Sequence, residues 1–172
     1  MFENYVEVLR LIDFAGGSVV GRKKLQKLVY LAQQRGWPFP EVFRYHLYGP
    51  FSEQLANEIE EMKSYGFVDE QKQSGHGSAF CCSLTEQGRE LITKYGSLAT
   101  PDAAKELIAR LSQRDARTLE LMATMLFLFK CKYTKDRVFA SIKDLKPEQG
   151  YSDDEIGEAF AFLSDSDFLP AR

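Results

Sequence analysis

Two stretches decide the fold: RKKLQKLVYLA at residues 22–32 and, after a Trp-Pro break, FRYHLYGPFS at residues 43–52. In the first stretch the apolar residues recur at the spacing of one helix face, and Lys23 and Lys27 are expected to point away from it. In the second stretch the alternation of side chains is typical of a short aromatic strand. Gly49-Pro50 is expected to end that strand, because proline has no N–H for a ladder.

The composition favours a water-soluble protein with a proper core. The chain has 172 residues, 44% of them hydrophobic and 13% aromatic, and a formal net charge of −3. This charge argues against a generic polyanion binder, and the longest apolar run is too short to span a bilayer. The three cysteines, Cys81, Cys82 and Cys131, follow no disulfide spacing. Reduced thiols and a cytoplasmic location are therefore expected.

The order of elements predicts a mainly α protein with a small β hairpin, an α+β fold. Helices are predicted at 3–14, 21–35 and 52–65, a strand at 43–48, hairpin strands at 67–72 and 79–84 around a turn at 74–78, and a further helix from 85. Helices at 101–112, 115–130, 134–145 and 153–164 follow. Thr100-Pro101 is a typical helix start, so a boundary near 97–101 separates a winged-helix-like module, 1–97, from an all-helical module, 98–172.

The second module is interpreted as either a separate helical unit or a degenerate repeat of the first. The apolar residues of 55–68 match those of 156–169 at a constant offset of 101, each as a capped helix followed by a short apolar strand. The first module departs from a helix-turn-helix in one respect. About 16 residues, instead of the usual three or four, separate its second and third helices.

The distribution of charge weighs against sequence-specific DNA binding. The run Arg22-Lys23-Lys24 with Lys27 is either a phosphate-contacting patch or a solvated helix face. The third predicted helix, which would enter the major groove, turns an acidic face outward. That face comprises Glu53, Asn57, Glu60 and Glu61. Its carboxylates would repel DNA phosphates, so DNA binding in the usual mode is disfavoured.

The residues capable of chemistry form no catalytic or metal-binding pattern. His46 lies on the aromatic strand without a nucleophile at useful spacing. The adjacent Cys81 and Cys82 should face opposite ways, one buried and one exposed. Asp153 to Glu155 are interpreted as the capping box of a helix that begins after Ser152. We therefore predict no enzyme activity, no cofactor and no metal.

A dense aromatic set surrounds the predicted strand. It comprises Trp37, Phe39, Phe43, Tyr45, Tyr48 and Phe51. Part of it must be core, and an exposed part would suit a protein partner. The predicted partner-binding residues are Tyr45, Tyr48 and Phe51, with Lys23 and Lys27 at the rim.

The stretches GRKKLQKLVY (21–30) and YHLYGPFS (45–52) resemble the YwgA family of bacterial proteins, and residues 119–129 extend the likeness to the second half. More distantly, residues 25–30 and Tyr48-Gly49-Pro50 are similar to the Panacea domain, over roughly residues 5–70. The YwgA resemblance implies no catalytic residues. The Panacea resemblance implies a protein-binding role, as an antitoxin or as an adaptor for proteolysis. The alternative is a winged-helix DNA-binding transcriptional regulator. A homodimer is compatible with either.

Overall fold

The fold is mainly helical with two small antiparallel sheets, which confirms the α+β prediction. The computed structural model describes residues 2–74, 79–96 and 102–170. The elements are α1 (Glu3–Phe14), β1 (Ser18–Val20), α2 (Arg22–Gln34), β2 (Arg44–His46), β3 (Gly49–Phe51), α3 (Glu53–Ser64), β4 (Val68–Lys72), β5 (Phe80–Leu84), α4 (Glu86–Tyr95), α5 (Asp102–Ser112), α6 (Ala116–Lys130), α7 (Lys135–Leu145), a 3-10 turn (Pro147–Gln149) and α8 (Asp153–Asp165). The predicted boundary at 97–101 and most of the predicted turn at 74–78 lie outside the described residues.

Side-chain caps determine where most of these helices begin. Ser52 Oγ accepts a hydrogen bond from Leu55 N at the start of α3. Thr85, Asp115 and Thr134 cap α4, α6 and α7 in the same way. The capping box predicted at the start of α8 is confirmed, with Ser152 and Glu155 bonded reciprocally. Because these signals are local, the predicted helix bounds agree with the structure to within a residue or two.

The larger sheet has the strand order β1-β5-β4. Its inner face buries Val19, Cys82, Val68 and Leu84, and Val19 lies opposite Cys82. Cys82 is buried and Cys81 half-buried, so the expectation of one buried and one exposed thiol is only partly met. Residues 18–20 form β1 between α1 and α2, a strand that the sequence analysis did not predict. β1 has only three residues, too few to show an alternating pattern.

The smaller sheet corrects the expectation that Gly49-Pro50 ends the aromatic strand. The chain turns at residues 47–48 and returns as β3, with Tyr45 opposite Pro50 and His46 opposite Gly49. A two-stranded ribbon has only edges, so a proline without an N–H is tolerated there. Gly49 takes a φ of +81°, a conformation that side chains other than glycine's rarely adopt.

Helix α6 lies at the centre of one continuous core. It packs against α2, α7, α8 and β3, and its nearly continuous apolar sequence suits this buried position. The predicted modules share this core, because α2 packs on both α5 and α6. The expected apolar strand after α8 is absent, since residues 166–170 form a turn and a bend. Among the described helices, none combines the length and apolar character that a bilayer crossing requires.

We expect Gly49→Ala to destabilise the protein by about 2–4 kcal/mol, from backbone strain together with overpacking. A Cβ at Gly49 would lie 2.5 Å from Thr124 Oγ1 of α6. Gly150 is the matched control, because it also has a positive φ but its Cβ would meet no atom within 4 Å. Gly150→Ala should therefore lose only about 1 kcal/mol. Urea unfolding measures the loss of unfolding free energy in both variants.

The variant Gly49→Ala/Thr124→Ala separates the two causes. Removing the hydroxyl should relieve the steric part and leave the backbone strain. Equal losses for Gly49→Ala and Gly150→Ala would show that close packing of the hairpin on α6 contributes nothing.

Candidate interaction site at the β2–β3 hairpin

The hairpin carries the most exposed large apolar side chains in the described part of the chain. Leu47 in its turn is 72% exposed and Val42 just before β2 is 67% exposed. Tyr45 and Tyr48 are exposed to a smaller extent, and Arg44 and His46 also face water. We call residues Val42, Arg44, Tyr45, His46, Leu47 and Tyr48 the hairpin surface. Exposed apolar side chains on a short ribbon are typical of a contact site.

Buried polar side chains of α2 hold one side of the hairpin. The amide of Gln26 accepts from Ser52 N at 2.9 Å and donates to Ser52 O at 2.8 Å. Lys27, the next residue of α2, donates through Nζ to Pro50 O at 2.6 Å. The backbone of residues 50–52 is therefore hydrogen-bonded to α2 where water does not reach.

A second lysine holds the turn of the hairpin from the opposite direction. Lys146, between α7 and the 3-10 turn, donates through Nζ to Leu47 O at 2.9 Å and to Glu120 Oε1 at 2.5 Å. Lys27, Lys146 and Glu120 are all buried. We call these three residues the lysine–glutamate clasp. Its single carboxylate is the counter-charge for two ammonium groups.

The surroundings of Lys27 in the clasp disfavour its charged form. Burial lowers the pKa of Lys27 to about 8, and the Glu120 carboxylate opposes only part of that effect. Lys146 and Lys23 lower it further by repulsion. The hairpin is thus held by a group whose charged form is disfavoured relative to water.

The structure places all five predicted partner-binding residues around the hairpin, although several of them make internal contacts. The Lys23 ammonium lies 3.2 Å from the ring centroid of Tyr48. The Tyr45 ring packs on Phe127 of α6 at 5.7 Å, and half-buried Phe51 packs on His46 at 5.1 Å.

The expectation that Lys27 points into solvent is wrong. Only 2% of Lys27 is exposed. A lysine side chain is long enough to place its ammonium on a carbonyl that the helix pattern does not reveal. Lys27 therefore supports the hairpin from beneath and does not form its rim.

Sequence reasoning missed Leu47 and Val42, and also the clasp residues Glu120 and Lys146. Leu47 offered a usable signal, because an apolar residue next to the Gly49-Pro50 turn is poorly placed to pack into the core. Glu120 and Lys146 offered none, since they lie 73 and 99 residues beyond Leu47 in the chain.

The cations at the start of α2 are engaged within the molecule. Arg22 pairs with Glu60 of α3 at 2.5 Å and with Glu70 of β4, whose pKa it lowers. Lys24 Nζ donates to Ser112 O at 2.5 Å. The outward face of α3 is exposed and acidic as predicted, with Glu53, Asn57, Glu60 and Glu61 in water. The charge of the basic run is therefore partly balanced by contacts within the molecule.

His46 lies on the ring of Phe51 at the water-exposed face of β2. In residues 2–74, 79–96 and 102–170, no three His, Cys, Asp or Glu side chains converge as a metal site would require.

Comparison with known proteins finds a relative along nearly the whole chain. The chain is 33% identical over 168 residues to a Bacillus subtilis (strain 168) protein named "Uncharacterized protein YwgA". The match covers 96% of this chain and 97% of the relative. No protein-family model matches, so the likeness to the Panacea domain stays a prediction.

We expect Glu120→Gln to destabilise the protein by about 3–5 kcal/mol, because it leaves Lys27 and Lys146 buried without their carboxylate. Glu148→Gln is the matched control, since Glu148 is exposed on the adjacent 3-10 turn. It should change the free energy of unfolding by less than about 0.5 kcal/mol. Adding Lys146→Met to Glu120→Gln should restore part of the loss. A loss no greater than the control's would contradict the clasp.

The charge on Lys27 predicts a rise in stability at alkaline pH. The folded-state pKa of about 8 lies below the ordinary value of 10.5, so between these values the unfolded chain binds more protons. Stability should therefore increase from pH 8 to 10.5, by about 1–3 kcal/mol relative to Lys27→Met. Unfolding free energies of both proteins at pH 7.5, 9 and 10.5 measure it. Parallel curves would show that Lys27 is not held in a desolvated site.

Proposed function

The chain belongs to the YwgA family, and on that premise we propose that it is a non-enzymatic protein-interaction module that binds its partner through the hairpin surface. The observation that carries the proposal is the exposure of Leu47, Tyr48 and Val42 on a ribbon with buried anchors. A rigid scaffold that presents apolar and aromatic side chains loses little conformational entropy on binding. Tyrosine and arginine, here Tyr45, Tyr48 and Arg44, are among the residues that most often supply the affinity of protein interfaces.

The charges of the hairpin surface select the chemistry of the partner. Arg44 and His46 flank the apolar tip, and Lys23 covers one side of Tyr48. A segment with both acidic and apolar side chains complements this arrangement. We propose a cytoplasmic location, because the cysteines follow no disulfide spacing. The Panacea resemblance implies that the protein binds its partner as an antitoxin or an adaptor.

A winged-helix DNA-binding regulator is the second candidate. The order α1-β1-α2-α3-β4-β5 and the antiparallel sheet β1-β5-β4 favour it, with β2–β3 inserted between α2 and α3. The acidic face of α3 and the pairing of Arg22 with Glu60 and Glu70 count against it. Protein binding is therefore the better supported function.

A photo-crosslinking amino acid at position 47 tests the proposal directly, with position 144 on α7 as an exposed control site. We expect a discrete adduct with one protein from position 47 and none from position 144. The purified partner should then bind Leu47→Asp at least about tenfold more weakly than the wild type. Asp144→Lys should bind unchanged. Because Leu47 is exposed, the folding of the variant should be intact.

Equal affinities for Leu47→Asp and wild type would overturn binding through the hairpin.

The second candidate predicts that random duplex DNA binds with steep salt dependence and that Lys72→Glu on β4 weakens this binding. We expect no mobility shift of duplex DNA at 50 mM salt.

A further inference from the structure

The segment between α2 and β2, residues 35–43, contains a second buried polar site. Trp37 and Phe39 anchor the segment, with ring centroids 5.2 Å apart. Gln33 Nε2 donates to the carbonyl oxygens of Phe39 at 2.9 Å and Glu41 at 2.7 Å. These bonds fix the backbone on either side of Glu41 and direct its side chain inward.

The carboxyl group of Glu41 ends in a buried site. It is 2% exposed, and neither of its carboxyl oxygens has a hydrogen-bond partner in the described part of the chain. Its carboxyl group lies within hydrogen-bonding reach of Glu58 on α3. Glu58 is 7% exposed, and its Oε1 accepts from Gln54 Nε2 at 3.0 Å. Glu58 Oε2 is also buried, with no donor among the described residues.

Two ionised carboxylates in contact inside a protein would repel strongly, and each would lack the solvation that it has in water. One proton removes both problems, since a protonated carboxyl group donates its O–H to the neighbouring carboxylate. A short charge-assisted hydrogen bond then replaces a like-charge contact. Such a proton would serve two of the three buried oxygens without partners, one of Glu41 and Oε2 of Glu58.

We propose that Glu41 and Glu58 form a buried proton-binding site, in which one shared proton holds the segment before β2 against α3. The carboxyl group of Glu41 carries the proton and Glu58 Oε2 accepts it. The site is a pH-sensitive latch, because losing the proton restores the repulsion. It stands on the burial and contact of the two side chains and is independent of any partner.

A divalent metal ion fits the site poorly. Hard cations take six or more oxygen ligands, and only two carboxyl groups meet here. The main-chain oxygen of Glu41 already accepts from Gln33. Where the structure describes the chain, no third metal-ligating side chain joins the pair.

The direction of the pH response follows from the surroundings of Glu41. Burial, followed by the hydrogen bond to Glu58, raises the pKa of Glu41 from its ordinary 4.5 to about 8. The folded protein therefore keeps a proton between pH 4.5 and 8 that the unfolded chain has lost. The stabilisation is complete below pH 4.5 and is lost as the pH rises to 8.

Few other charges face this segment. From α2 and α3 the uncharged amides of Gln33 and Gln54 approach the pair. From α1, Glu7 accepts from Trp37 Nε1 and pairs with Arg10. Lys27, on the other side of the hairpin, also has a pKa of about 8, but its effect on stability is shared by wild type and Glu41→Gln and cancels in their comparison.

Glu41→Gln tests the site, because its amide can donate to Glu58 without a titrating proton. Glu53→Gln, which removes an exposed carboxylate from the same helix, is the matched control. Relative to Glu41→Gln, the unfolding equilibrium constants of wild type and Glu53→Gln should rise at least about tenfold from pH 5 to 8. The protection factors of the amides at residues 39–43, which correct for the base-catalysed intrinsic rate, should fall over the same range in wild type and Glu53→Gln but not in Glu41→Gln.

Carbon-13 NMR of the glutamate carboxyl carbons gives a readout that needs no variant to fold. One carboxyl carbon should titrate well above pH 6 in the wild type. Ordinary titration near pH 4.5 at both positions, or the same pH dependence in Glu41→Gln and wild type, would overturn the proposal. Stabilisation of the wild type, but not Glu41→Gln, by Mg²⁺, Ca²⁺ or Mn²⁺ at pH 8 would overturn it in favour of a metal.

Discussion

The arrangement of this protein depends on the lysine–glutamate clasp between α2, α6 and the end of α7. Glu120 neutralises part of the charge of Lys27 and Lys146, while the two ammonium groups bind carbonyl oxygens of the hairpin. An apolar contact could bury the same area, but it would not satisfy those carbonyl groups or determine where the ribbon lies. We therefore regard the clasp as a source of positional specificity more than of net stability.

The clasp also connects the two halves of the sequence. Lys27 belongs to the first half, Glu120 and Lys146 to the second, and the hairpin lies between them. Central helix α6 supplies both the carboxylate and the surface on which Gly49 packs. Because the hairpin contacts both halves, its position depends on their correct packing. A binding surface built in this way exists only in the folded molecule.

Buried ionisable groups hold the hairpin from two directions. The clasp fixes the turn and β3, and the Glu41–Glu58 pair lies at the segment that leads into β2. One of these sites contains a cation whose charge is disfavoured, and the other contains an acid that retains its proton. Proteins keep such desolvated groups where position matters, since apolar residues would be easier to bury. The exposed face of the hairpin, in contrast, presents apolar side chains between a few cationic ones.

The sequence by itself determined the helices, their caps and the acidic outer face of α3. These features depend on neighbours three or four residues apart, as at Ser52 and Ser152. The sequence also indicated the region around the aromatic strand as the candidate site for a partner. Only the tertiary structure decided that β1 pairs with β5, that the chain returns at Gly49 as β3, and that Lys27 is buried. Each of these depends on partners far along the chain, and a lysine side chain can reach water or a distant carbonyl from the same helix position. Local periodicity therefore indicated the hairpin region approximately, and long-range packing decided which side chains support the hairpin and which remain exposed on it.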